Sequence, residues 1–163
     1  MSGEHAMSKR YWLMKSEPQE FSIDALAKVK SEPWSGVRNY QARNFMRDGM
    51  QVGDGVLFYH SNCDEPGVVG IAEVGSAAHP DPTQFNPKSD YYDAASKREE
   101  PRWLLIDVAF KRKLARNVTL AELKASEELA DFALVQRGNR LSVMPVTRAQ
   151  WDFILGLEKR SSR

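Results

Sequence analysis

Apolar residues fall along this chain in short, dense runs bounded by turn residues, and only a few stretches show the three-to-four-residue spacing of a surface helix. Tyr11 to Lys15 (Y-W-L-M-K) is the first run and predicts a strand. Ser16-Glu17-Pro18 closes it, because a residue before proline is driven out of helical backbone. Ser22 is the expected N-cap of a helix through Lys30, with Asp24 in its first turn and Ile23, Leu26 and Ala27 on one face. A second short helix is expected from Tyr40 to Arg47, ending near Gly49. Gly53-Asp54-Gly55 reads as a turn into a buried strand from Val56 to His60. A further turn at Asp64 to Gly67 leads to its hairpin partner, Val68 to Val74.

His79 to Tyr92 holds three Pro and reads as an ordered loop with no element of its own. Arg102 to Phe110 is the longest strand candidate. Thr119 and Glu122 have capping-box spacing for a helix over Leu120 to Ala125, and Ser126 is placed to cap another through Leu134. Leu141 to Val146 is a last strand. Thr147 and Gln150 make a second capping box for a terminal helix with Trp151, Ile154 and Leu155 on one face. Strands that pair mainly through hairpins, with helices inserted singly, predict an α+β fold: a small mixed β-barrel of five or six strands flanked by helices.

Composition narrows the class. With 163 residues, 42% of them apolar and 28% charged, the chain suffices for one domain with a real core and is short for two. We take residues 10–158 as that domain, residues 1–9 as a flexible lead-in in which Met7 offers a second start, and residues 159–163 as a tail. No apolar run approaches the ~20 residues that cross a bilayer, and the N-terminus lacks the apolar stretch of a secretory signal. The lone Cys63 cannot form an internal disulfide, which suits a reducing cytoplasm. A net charge of +1 argues against a long nucleic-acid groove, but leaves room for a site that grips one base and a few phosphates.

The densest chemistry lies in W-S-G-V-R-N-Y-Q-A-R-N, Trp34 to Asn44. Trp offers a flat face for stacking, Asn and Gln offer paired donors and acceptors, and Arg offers a planar fork that suits phosphate. That set of groups suits a planar, hydrogen-bonding ligand beside an anionic backbone, which describes a nucleobase.

Seven motifs in order carry a resemblance over residues 11 to about 155. They are Y-W-L-M-K-S-E-P (Tyr11 to Pro18), the Trp34 to Asn44 stretch, and G-D-G-V-L-F-Y-H-S (Gly53 to Ser61). G-V-V-G-I-A-E-V (Gly67 to Val74), P-D-P-T-Q-F (Pro80 to Phe85), P-R-W (Pro101 to Trp103) and R-L-S-V-M-P-V (Arg140 to Val146) follow. The chain resembles an EVE domain, a member of the PUA-like superfamily related to YTH domains, and most nearly the bacterial relatives of thymocyte nuclear protein. The resemblance implies a PUA-like barrel and a pocket for a flipped-out, modified base from DNA or RNA. YTH relatives read N6-methyladenine in RNA, and EVE domains are associated with modified cytosines in DNA.

By position in that pattern, Trp34 matches the tryptophan that walls the base cage, and Ser35 the neighbour whose backbone meets the base. From the residues alone, Trp34 could equally plug the barrel. Asn39 and Asn44 are base-contact candidates, although Asn39 is as well placed to cap a helix. Arg38 and Arg43 suit phosphate or a solvated helix face. Lys15 and Ser16 end the first strand near the family's pocket, where Lys15 either meets the ligand or pairs with Glu17. Tyr59 and His60 end a strand where barrel sites open, with a structural role for His60 as the alternative. Tyr91 or Tyr92, in the long loop, could supply a second aromatic wall, and Trp103 reads as core. Arg140 matches the family's R-L-S-V motif and is the third phosphate candidate. The basic run Lys111 to Arg116 reads as solvated surface.

No catalytic set emerges. Cys63 and His60 lie three residues apart in a turn, where side chains rarely face one another in a fixed geometry. Three His and one Cys give no spaced metal ligands, and no phosphate-binding glycine motif is present. The expectation is therefore a monomeric, non-catalytic binding module without cofactor or metal, whose partner is nucleic acid carrying a modified base and not a membrane. A sensor of a free nucleoside, or a scaffold for a partner enzyme, is the alternative.

Overall fold

In the computed structural model, which describes residues 9–160, four strands precede the Pro-rich loop. They are β1 (Tyr11–Ser16), β2 (Ser31–Pro33), β3 (Gly55–His60) and β4 (Gly67–Val74). Then follow β5 (His79–Pro80), β6 (Leu104–Leu105), β7 (Asp107–Thr119) and β8 (Val143–Val146). Six of them form one mixed sheet in the order β2-β7-β4-β3-β1-β8, which curls into a half-barrel, while β5 and β6 pair separately. Four α-helices accompany it: α1 (Ile23–Val29), α2 (Tyr40–Asn44), α3 (Leu120–Lys124) and α4 (Arg148–Glu158). Among the described residues no helix is long and apolar enough to cross a membrane. Residues 1–8 of the proposed lead-in, with Met7, and residues 161–163 of the proposed tail lie outside the described residues.

The dense first run is explained by its position inside the sheet. β1 pairs parallel with β3 and antiparallel with β8, and both of its faces are covered. Trp12 and Met14 join one core with Val56, Phe58, Val108 and the α1 residues Ile23 and Leu26. Leu13, between them, points into a second core with Leu57, Tyr59, Met144 and the α4 residues Trp151, Ile154 and Leu157. A strand buried on both faces reads as a continuous apolar run rather than an alternating one. Each fully buried Leu or Met contributes roughly 1.5–3 kcal/mol relative to exposure.

Several expectations are corrected. Hairpins do not dominate: in the large sheet only β3–β4 joins consecutive strands by a short turn, and the parallel β1–β3 pair needs the crossover that carries α1, β2 and α2. The longest strand is Asp107–Thr119, which runs straight through the basic stretch expected to be solvated surface. The run is exposed at Lys111, Arg112 and Lys113, as expected, and two of its Arg also fasten helices to the sheet. Arg112 binds both carboxylate oxygens of the buried Glu158 on α4 at 2.8 Å, and Arg116 does the same to Glu122 on α3. Glu122 is thereby turned away from a capping box: Thr119 Oγ1 accepts from the Glu122 N–H, but the reciprocal half is replaced by Arg116. At α4 both halves of the Thr147–Gln150 box form. Ser126 caps no helix, because its hydroxyl donates to the Glu122 carbonyl, and two short 3-10 turns, Glu127–Leu129 and Ala133–Val135, stand where a helix was expected. α2 ends earlier than expected and continues as a π turn over Phe45–Gly49.

Candidate functional site

Trp34 stands at the end of β2, where its N–H donates to the Ile106 carbonyl at 2.9 Å and prolongs the pairing with the neighbouring chain. Its ring is half-buried, set edge-to-face with Phe58 at 5.7 Å and Phe21 at 6.0 Å. The remainder of the ring lines a cavity of about 500 Å³ together with Lys15, Ser16, Phe21, Ser35 and Tyr91. That volume lies in the range of small-ligand sites.

The second aromatic, Tyr91, is brought in by the Pro-rich loop, and a polar rivet holds it there. Asp81, fully buried, accepts from the Gly36 N–H at 2.7 Å, from Arg38 Nη1 at 3.1 Å, and from the Thr83 N–H and hydroxyl. Arg38 also donates to the Tyr91 carbonyl at 2.7 Å and to Thr83 Oγ1 at 3.0 Å. Its guanidinium lies between the Tyr91 and Trp103 rings, 5.5 and 5.4 Å from their centres. Buried Gln84 then ties the loop to itself, donating to the Asp81 and Trp103 carbonyls at 2.7 Å and accepting from the Trp103 N–H and the Ser96 hydroxyl. A loop poor in regular elements is ordered because its buried polar groups are satisfied. Burial by itself would raise the Asp81 pKa, but the hydrogen bonds from Thr83, Gly36 and Arg38 win and hold it below the ordinary carboxylate value.

The cavity rim is acidic. Glu17, Glu20, Glu32 and Asp90 line it, against one cation among the described residues, Lys15. Burial lowers the Lys15 pKa. The Ser16 hydroxyl donates to the Phe21 carbonyl and shapes the turn that delivers Phe21.

Other candidates are placed elsewhere. Asn39 is the N-cap of α2, its side chain accepting from the Ala42 N–H, and Asn44 accepts two bonds from Arg43. Arg38 directs its guanidinium at Asp81, Thr83 and the Tyr91 carbonyl. Tyr59, 2% exposed, belongs to the second core, where burial raises its pKa to about 12. His60 Nε2 accepts from the Ile23 N–H at 3.1 Å, so its ring braces α1. Tyr92 and Arg140 are exposed but do not line the cavity. Arg43 faces a different hollow, beyond Tyr40. The sequence reading missed Phe21 and the acidic rim. Phe21 precedes the N-cap Ser22, a position where a staple residue packs on its own helix, and that spacing was the available signal.

Comparison with known proteins bears on these features. The EVE domain family model matches residues 10–157. Human thymocyte nuclear protein 1 is 42% identical over 172 residues, covering 92% of this chain and 74% of the human protein. A Pseudomonas syringae protein of solved structure matches with a TM-score of 0.88 at 49% identity, covering 91% of this chain and 99% of the other. The structure of human THYN1 in complex with 5-methylcytosine containing DNA matches with a TM-score of 0.89 at 41% identity, covering 94% and 99%. The half-barrel with its helices is thus the PUA-like fold of the THYN1 structures.

Proposed function

The chain belongs to the EVE domain family, and from that premise we propose that it is a binding module that reads a modified nucleobase, modified cytosine in DNA first among them. The base, flipped out of its stack, occupies the cavity lined by Trp34, Phe21 and Tyr91. The observation that carries this reading is the half-buried Trp34 ring, fixed edge-to-face on two other aromatics and open on a cavity large enough for a nucleoside. The 41% identical human protein solved with 5-methylcytosine containing DNA supports the choice of ligand.

The acidic rim suits cytosine. A carboxylate accepts from the exocyclic amine of cytosine, whereas it repels phosphate. Flipping costs a few kcal/mol of lost stacking. Stacking in the cavity returns about 1–3 kcal/mol per base, and the remainder comes from the amine, the added group and the backbone.

Tryptophan fluorescence titration of the native protein and Trp34→Ala tests this. The ligands are duplexes and single strands carrying cytosine, 5-methylcytosine, 5-hydroxymethylcytosine or N6-methyladenine, in DNA and RNA. One modified ligand is expected to bind at least tenfold (~1.4 kcal/mol) tighter than its unmodified twin, with the gap erased in Trp34→Ala. Equal binding of every twin overturns the reading.

One observation favours a second reading. Four carboxylates against one Lys at the rim suit a free nucleoside better than a polyanion. Salt separates the two, because oligonucleotide binding weakens steeply with salt and nucleoside binding does not.

A further inference from the structure

We infer that the bowl lined by Tyr40, Arg43, Arg47, Lys97, Glu100 and Arg102, a hollow of about 410 Å³, is a phosphate subsite for the strand whose base enters the Trp34 cavity. This inference rests on the base-reading function above and supplies what that cavity lacks. Among the described residues, a rim of four carboxylates and one Lys cannot neutralise a backbone, whereas the bowl is lined by four cations and one carboxylate, Glu100.

The cations are of a kind that phosphate can recruit. Arg43 lies 4.9 Å from the centre of the Tyr40 ring and donates to the Arg102 carbonyl at 2.8 Å and to Asn44 Oδ1. Both partners are neutral, so the guanidinium is held in place without its charge being cancelled. Lys97 is exposed, at a tight turn bridged to Glu100, and has no carboxylate within salt-bridge distance among the described residues. Arg47 does pair with Asp48, but both side chains are largely exposed, and such pairs exchange readily for a stronger anion. Arg102 reaches Asp93 only at 3.4 Å.

A ladder of rings and guanidiniums joins the bowl to the cavity. It runs Tyr91, Arg38, Trp103, Tyr40, Arg43, with the Trp103 and Tyr40 rings stacked 4.8 Å apart at 27°. No step exceeds 5.5 Å, so Tyr91 and Arg43 lie within about 21 Å of each other, the rise of roughly six nucleotides along one strand. One oligonucleotide therefore spans both sites, and the ladder sets their spacing.

The test uses 12-base-pair duplexes, one with a single 5-methylcytosine and its unmodified twin, titrated over a range of salt. The native protein is compared with the double variant Arg47→Ala/Lys97→Ala and with a control, Lys28→Ala/Lys124→Ala, that removes two exposed Lys from α1 and α3. Each phosphate contact adds about 0.9 to the slope of log K against log salt. The bowl variant is expected to lose about 2 from that slope and at least tenfold in low-salt affinity, equally for both duplexes. The control keeps the native slope. A bowl variant with native slope and affinity overturns the subsite, even where the methylation preference stands. A lost slope in a protein without methylation preference keeps the subsite and overturns the base reading. A native protein that binds neither duplex at any salt overturns both.

Discussion

The Tyr91 ring lies over Gly36 so closely that a Cβ added there would sit 2.8 Å from two of its ring carbons. Gly36 also has φ of +86°, a conformation that side chains resist, and it gives its N–H to the buried Asp81. One residue thus sets the left-handed backbone after Trp34, the seat of the second aromatic and one bond of the rivet.

Gly36→Ala is expected to destabilise the protein by about 1–3 kcal/mol, from the left-handed backbone and the displaced ring together. Its binding of a modified base is expected to fall at least tenfold. Chemical denaturation and the fluorescence titration read the two effects separately. A variant with native affinity would show that the ring's position over Gly36 is immaterial.

Asp81→Asn places an amide where four donors converge. Its NH2 group would face the Gly36 N–H or the Arg38 guanidinium, and Arg38 would keep an uncancelled charge. The expected cost is about 2–4 kcal/mol of stability. The native carboxylate has a lowered pKa, so its contribution is complete above the ordinary value of 3.8 and is lost as pH falls through the lower, folded value. Acid unfolding of the native protein should therefore show a steep loss below pH 3.8 that Asp81→Asn lacks. Urea midpoints measured between pH 2.5 and 5 check this.

Lys15→Met removes the one cation from the cavity rim. Burial already penalises the ammonium, so global stability is expected to hold or rise, within about 1 kcal/mol. Affinity for the modified base is expected to fall several-fold, because the acidic rim is left unopposed. A stable variant with undiminished affinity would remove Lys15 from the ligand's contacts.

His60 makes a distinct pH prediction. Burial lowers its pKa below 6.5, with Lys113 adding to the shift and Asp24 opposing it, and its Nε2 must stay unprotonated to accept from Ile23. Above pH 6.5 both folded and unfolded chains hold a neutral imidazole. As pH falls below 6.5 the unfolded chain takes the proton first, and stability is lost until the folded form titrates too. His60→Gln, whose side-chain oxygen can accept the same bond, should melt with a flatter pH profile between 7.5 and 5. An unchanged profile would assign that loss of stability to other groups.

Much of the local structure was legible because its causes are local. Ser22, Asn39, Thr119 and Thr147 each accept from a backbone N–H three residues ahead, and that interaction depends on nothing distant. β1 was legible as a strand from its unbroken apolar run, and the structure adds that both of its faces are buried. Misreadings arose where two local signals competed for one side chain. Glu122 had the spacing of a capping box, but a bidentate Arg116 on the neighbouring strand binds its carboxylate more strongly.

By itself, then, the sequence determined most of the strands and helices, four of their N-caps, and the family motifs that drew attention to Trp34. Only the tertiary structure decided which of the candidate residues gather around that ring. Arg38 and Tyr91 are 53 residues apart, and Arg38 and Asp81 are 43 apart. No periodicity reports such a contact, because it exists only after the sheet curls and the loop satisfies its own buried polar groups. For the same reason the sequence left Arg38 between phosphate and a solvated face, and the structure joins it to Asp81, Thr83 and Tyr91, while Arg47, Lys97 and Arg102, unremarkable in sequence, line one basic bowl.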